Sequence, residues 1–147
     1  MNRKQVAVID YGMGNLHSVC KALEFVGAQP VILKEPADPD QFERLVLPGV
    51  GALGDCMKGL KSRKLDDWVK AWNRENRPFL GVCLGLQALF EYSEEYDTEG
   101  LGILAGKAVR FQLDHSFKIP HMGWNAVSFA ETATAMDEKI TSYSYQF

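Results

Sequence analysis

Pro78-Phe79-Leu80-Gly81-Val82-Cys83-Leu84-Gly85-Leu86-Gln87 reads as an apolar strand that stops on a cysteine with a glycine two residues to either side. Glycines at those offsets let the chain turn sharply from strand to helix without Cβ clashes, which pushes the central side chain out beyond the carboxyl end of a parallel sheet. The same turn places the sulfur at a helix N-terminus, whose unpaired N–H groups and dipole favour its anion. The backbone N–H of Leu84 then faces the oxygen of any carbonyl that Cys83 attacks, which is half of an oxyanion hole. A plainer reading makes Cys83 a space filler between a buried strand and a buried helix, as free cysteines often are. The symmetric Gly-x-Cys-x-Gly frame, with a strand before it and a helix after it, favours a nucleophile.

Upstream of this stretch the chain alternates strand and helix. Val6 to Asp10 is a short buried strand, and a helix begins near Asn15, a good N-cap residue. Leu16, Val19, Cys20, Leu23 and Val26 follow helical spacing until Gly27 stops them. Pro30 to Leu33 is a second strand, Glu35 to Asp40 a turn, and Arg44 to Leu47 a third strand ending at Pro48-Gly49-Val50-Gly51. Two amphipathic helices follow: one carries Leu53, Cys56, Met57 and Leu60, the other Leu65, Trp68, Val69 and Trp72. Trp68 and Trp72 read as helix-packing residues. With the elbow strand and the helix after it, this order implies an α/β fold of three layers, a mostly parallel sheet flanked by helices. Ligands of such sheets sit beyond the carboxyl ends of the strands. Three loops converge there: Tyr11 to Gly14, Pro48 to Gly51, and the elbow at Cys83. Past Ser93 the pieces Lys107 to Phe111, Lys118 to Pro120 and Ala126 to Phe129 look like a small antiparallel addition.

The 147 residues, 46% of them hydrophobic, are enough for one core, so a single domain over 1–147 is expected. A net charge of −3 with both signs interleaved offers no basic stripe for nucleic acid. No apolar run approaches membrane-spanning length, and Met1-Asn2-Arg3-Lys4 leads into a strand rather than a signal peptide, so a cytoplasmic location is expected. Cys20, Cys56 and Cys83 are odd in number and widely spaced, against a disulfide framework or a zinc site. No metal and no cofactor is expected. Gly12-Met13-Gly14 invites comparison with a dinucleotide fingerprint, but the third glycine would fall at His17 and no Walker lysine is present. Gly49 and Gly51 leave backbone N–H groups uncovered beside whatever Cys83 attacks; that loop is either an ordinary turn or the second oxyanion donor.

Gly81-Val82-Cys83-Leu84-Gly85-Leu86-Gln87 resembles the nucleophile motif of class I glutamine amidotransferases, and Pro48-Gly49-Val50-Gly51 resembles their oxyanion loop. Asp10-Tyr11-Gly12-Met13-Gly14-Asn15-Leu16 and Lys118-Ile119-Pro120-His121-Met122-Gly123-Trp124-Asn125 are similar to the branch of that family serving as glutaminase subunit of imidazole glycerol phosphate synthase in histidine biosynthesis. The resemblance implies a flavodoxin-like fold and a Cys83 that attacks the side-chain amide of glutamine, giving glutamate and passing ammonia to a cyclase partner in a heterodimer. It implies backbone oxyanion donors at Leu84, Val50 and Gly51, glutamine contacts at Gly49, Gly51 and Gln87, and a partner-facing surface at Asn15, Met122 and Trp124.

One departure qualifies the match. The family completes its triad with a His-x-Glu segment, and none occurs in this sequence, whose histidines are His17, His115 and His121. A chain missing its C-terminal part is therefore expected, feebly active by itself and exposing apolar sheet surface and a sheet edge. A non-catalytic scaffold or partner-binding module on the same fold remains open, as does another elbow-cysteine α/β enzyme.

Overall fold

The computed structural model describes residues 5–114 and the backbone of two further strands, 124–126 and 144–146. The chain divides into two compact units, Met1–Arg110 and Phe111–Phe147. In the first, β1 (Gln5–Ile9), β2 (Gln29–Leu33), β3 (Arg44–Gly49) and β4 (Phe79–Cys83) form a sheet in the order β2-β1-β3-β4, all pairings parallel. The α/β reading with a parallel sheet holds.

Helices α2 (Leu53–Ser62) and α3 (Leu65–Arg74) supply the core. Alternate strand residues Ala7, Ile9, Leu45 and Leu47 meet Leu53, Cys56, Met57 and Leu60 of α2 and Leu65, Val69 and Trp72 of α3. Each buried Leu or Val contributes about 1.5–3 kcal/mol of hydrophobic stabilisation. Trp68 and Trp72 pack as the sequence implies, with ring centroids 5.5 Å apart. Their indole N–H groups donate to Ala37 O at 2.7 Å and Pro78 O at 3.1 Å, and the Arg77 guanidinium lies 4.1 Å over the Trp72 ring.

Helix α1 (Leu16–Phe25) starts and stops as the sequence predicts. Asn15 accepts from the Ser18 N–H at 3.2 Å, and Gly27, at φ +84°, lets the N–H groups of Gly27 and Ala28 return to Glu24 O and Leu23 O. Its apolar stripe is shallower than the spacing predicts: no residue of α1 is fully buried, and Val26 is 73% exposed. Periodicity sets the side a residue faces, while depth depends on what else covers that side. Leu23 and Val26 instead line a groove of about 400 Å³ with Val6, Val46 and Leu80, and Leu80 and Val82 of β4, the last strand in the sheet order, remain 57% and 37% exposed.

Two expectations past Cys83 need correction. The helix after the elbow, α4 (Leu84–Gln87), is a single turn. It ends early because Ala88 O and Phe90 O accept the N–H groups of Leu101 and Gly102, drawing the following residues into a sheet. The small addition is also not purely antiparallel. β5 (Phe90–Ser93) pairs antiparallel with β6 (Thr98–Glu99) and parallel with β7 (Leu104–Ala108), which begins earlier than the predicted 107–111. In the second unit, β8 (Trp124–Ala126) pairs antiparallel with β9 (Ser144–Gln146). The strand predicted at 118–120 lies outside the described residues, as does 127–129 of the last predicted strand.

Candidate active site

Cys83 closes β4 and caps α4 at φ +55° and ψ −116°, with an exposed side chain. A residue with a Cβ rarely adopts that backbone, at a cost of about 1–3 kcal/mol, and such strain persists only where the surroundings impose it. Here they do. A Cβ on Gly85 would run into the Leu47 carbonyl, and one on Gly81 would lie 2.8 Å from Gly85 O and Leu86 N. The flanking glycines are thus required by close approach of β3, β4 and α4. Leu84, 3% exposed, pins the turn from below, and its carbonyl accepts the Ala88 N–H at 2.9 Å. One helical turn leaves N–H groups unpaired beside Cys83 but builds little of the macrodipole a longer helix would supply.

The register of the sheet brings the second loop alongside. Pro48 pairs with Val82 and Gly49 with Cys83, so the chain leaves β3 next to the sulfur. Gly49 is buried, Val50 turns its side chain outward at 47% exposure, and Gly51 takes φ +87°. A Cβ on Gly51 would sit 2.7 Å from Met13 Cε, and one on Gly49 would sit 2.7 Å from the Tyr11 hydroxyl. The three loops predicted to share one rim do meet there. Gly12 donates to Asp10 Oδ1 at 2.9 Å, a local turn.

Tyr11, placed on the rim by the sequence but given no role there, turns inward. It is 3% exposed, and its hydroxyl is buried without a hydrogen-bond partner. The Cys56 thiol and the Val50 backbone face it without completing a bond. Burial, and then Cys56, push the phenol well above its ordinary range. Burial likewise pushes the Cys56 thiol up to about 11. The available signal was position: Tyr11 lies in the loop after β1, on the rim where the other loops gather.

Gln87 ends α4 with an exposed side chain. Asn15 is exposed and engaged as the cap of α1. Met122, His115 and His121 lie outside the described residues, and of Trp124 only the backbone is described. His17 is exposed on the first turn of α1. Among the described residues no three His, Cys, Asp or Glu side chains gather to hold a metal, and no helix is long and apolar enough to cross a membrane.

The profile of the family described as glutamine amidotransferase class-I matches residues 7–146. The chain belongs to the class-I glutamine amidotransferases. Among curated relatives, the amidotransferase is 49% identical over 142 residues to "Imidazole glycerol phosphate synthase subunit HisH" of Microcystis aeruginosa, covering 97% of this chain and 67% of that one. To the protein of the same name in a Cyanothece species it is 51% identical over 135 residues, covering 92% and 64%. This chain therefore spans about two thirds of the length of the curated relatives it matches. A solved structure titled "Crystal structure of glutamine amidotransferase" superposes with a TM-score of 0.74 at 18% identity, covering 97% of this chain and 69% of that one. That likeness supports the fold.

Proposed function

We propose that the chain is the glutaminase part of an imidazole glycerol phosphate synthase, acting in the cytoplasm as one half of a heterodimer with a cyclase subunit. The observation that carries this reading is Cys83 held at φ +55° with Gly49 in register beside it. The names of the curated relatives support the choice of pathway.

In this reading the Cys83 sulfur attacks the δ-amide carbon of glutamine, and the carbonyl oxygen becomes an oxyanion facing the Leu84 N–H. A second donor comes from Val50 or Gly51. Each such donor is worth about 100- to 1000-fold in rate. Collapse breaks the C–N bond and releases ammonia once a proton reaches the nitrogen, leaving a thioester on Cys83. Water then attacks the thioester carbon and frees glutamate. Gly49 and Gly51 would hold the substrate through their backbone, Gln87 through its side-chain amide, and Asn15, Met122 and Trp124 would face the cyclase.

The His-x-Glu pair with which the family completes its triad is not among these 147 residues, so this reading gives them the nucleophile and the oxyanion donors and leaves the base unassigned. A positioned acid–base group contributes about 100- to 10,000-fold. The test is ammonia release from glutamine by the chain mixed with a cyclase subunit, run beside Cys83→Ala. Slow release that disappears in the variant supports the reading. Tight association with the cyclase, with release equal to that of Cys83→Ala, would assign a scaffold role instead.

A further inference from the structure

The Tyr11 hydroxyl occupies the point where the loop of Gly49 to Gly51 meets the elbow. The position of a Cβ on Gly49 lies 2.7 Å from that hydroxyl, 2.9 Å from Gly85 N and 2.9 Å from Leu84 Cβ. Three separate segments thus abut at Gly49, the residue in register with Cys83. Tyr11 is also packed against α2, because a Cβ on Gly59 would stand 2.5 Å from the Tyr11 carbonyl oxygen and 3.1 Å from its ring. The ring therefore has little freedom to swing away.

The hydroxyl is the informative atom. It is buried and unpaired, with the Val50 backbone and the Cys56 thiol facing it. A phenylalanine would fill nearly the same volume without an unsatisfied polar group, so ring packing alone gives no reason for the oxygen. What the oxygen adds is bulk and polarity against the backbone of Gly49.

We propose that Tyr11 is a positioning residue: its hydroxyl props the Gly49–Val50 backbone at the height above the elbow from which the loop can face a carbonyl oxygen attacked by Cys83. This rests on the glutaminase reading above and extends it to a residue on a different loop. Tyr11 touches neither sulfur nor substrate in this scheme and acts through the loop. Removing its oxygen lets the loop settle inward, weakening stabilisation of a developing oxyanion while leaving simple thiol chemistry as it was.

The test compares two reagents on the native chain and on Tyr11→Phe. One is an electrophilic glutamine analogue with a ketone at the position of the amide carbonyl, whose oxygen must sit in the loop; the other is iodoacetamide, whose displacement builds no oxyanion. The expected result is analogue labelling of Cys83 slowed at least five-fold in Tyr11→Phe, with iodoacetamide labelling unchanged within two-fold and a thermal midpoint no lower than native. Equal ratios of the two rates in both proteins would overturn the proposal, as would slowing of both reagents together. Protection of native Cys83 by free glutamine reads the glutaminase assignment separately: without it that assignment fails, while the ratio still reports on Tyr11.

Discussion

Cys83, the proposed nucleophile, also holds a strained backbone. Its backbone at φ +55° and ψ −116° suits glycine better than any residue with a Cβ. Cys83→Gly should therefore raise stability by about 1 kcal/mol, read as a higher urea midpoint, while abolishing all reactivity at this position. A lower midpoint would mean the turn is not strained. Gly85→Ala should act in the opposite direction, since its Cβ meets the Leu47 carbonyl; a loss of about 1–3 kcal/mol is expected, with analogue labelling impaired as the elbow shifts. Cys56 supplies a pH signature. Its folded thiol is pushed up to about 11 from 9.0, so the unfolded chain releases that proton first. Stability is full below pH 9 and falls as pH rises toward 11, by roughly 2–3 kcal/mol at most. Cys56→Ala should flatten that slope, leaving the part due to Tyr11, whose raised phenol acts in the same sense at higher pH.

At the scale of elements, the legible features were those with local causes. The caps of α1 follow from Asn15 and Gly27, the stripes of α2 and α3 from their spacing, and the elbow from two glycines around one cysteine. What stayed hidden depends on long-range pairing. The single-turn length of α4 is set by bonds from residues 101 and 102, and the mixed sheet by β7 returning parallel to β5. Neither leaves a periodicity to read. The start of α2 is a third case: the Leu53 N–H donates at 3.2 Å to Glu95 Oε2, from a residue 42 positions away. That carboxylate satisfies an otherwise free donor at the positive end of the helix, where Ala52 offers no side-chain cap. Glu95→Ala should lower stability by about 0.5–1 kcal/mol, with Glu95→Gln recovering part of the loss, as read by chemical denaturation. Identical midpoints for all three proteins would remove Glu95 from the account.

For the molecule as a whole, the arrangement of strands explains why residues 11, 49 and 83 share one rim despite their separation in sequence. Parallel strands all deliver their carboxyl ends to the same side, and the register of β3 with β4 sets Gly49 against Cys83. That convergence was readable from the alternation of strands and helices, which put the loop opening at Tyr11 on the rim; that the Tyr11 ring turns inward and buries its hydroxyl against Gly49 depends on packing across three segments, which leaves no local pattern. The same register makes the reactivity of Cys83 toward a glutamine-like carbonyl measurable. The most direct test is mass spectrometry of the chain after treatment with the electrophilic glutamine analogue. One adduct per chain, confined to Cys83, suppressed by excess glutamine and absent in Cys83→Ser, is the predicted result. Adducts spread over Cys20, Cys56 and Cys83, or a Cys83 adduct that glutamine does not suppress, would contradict it.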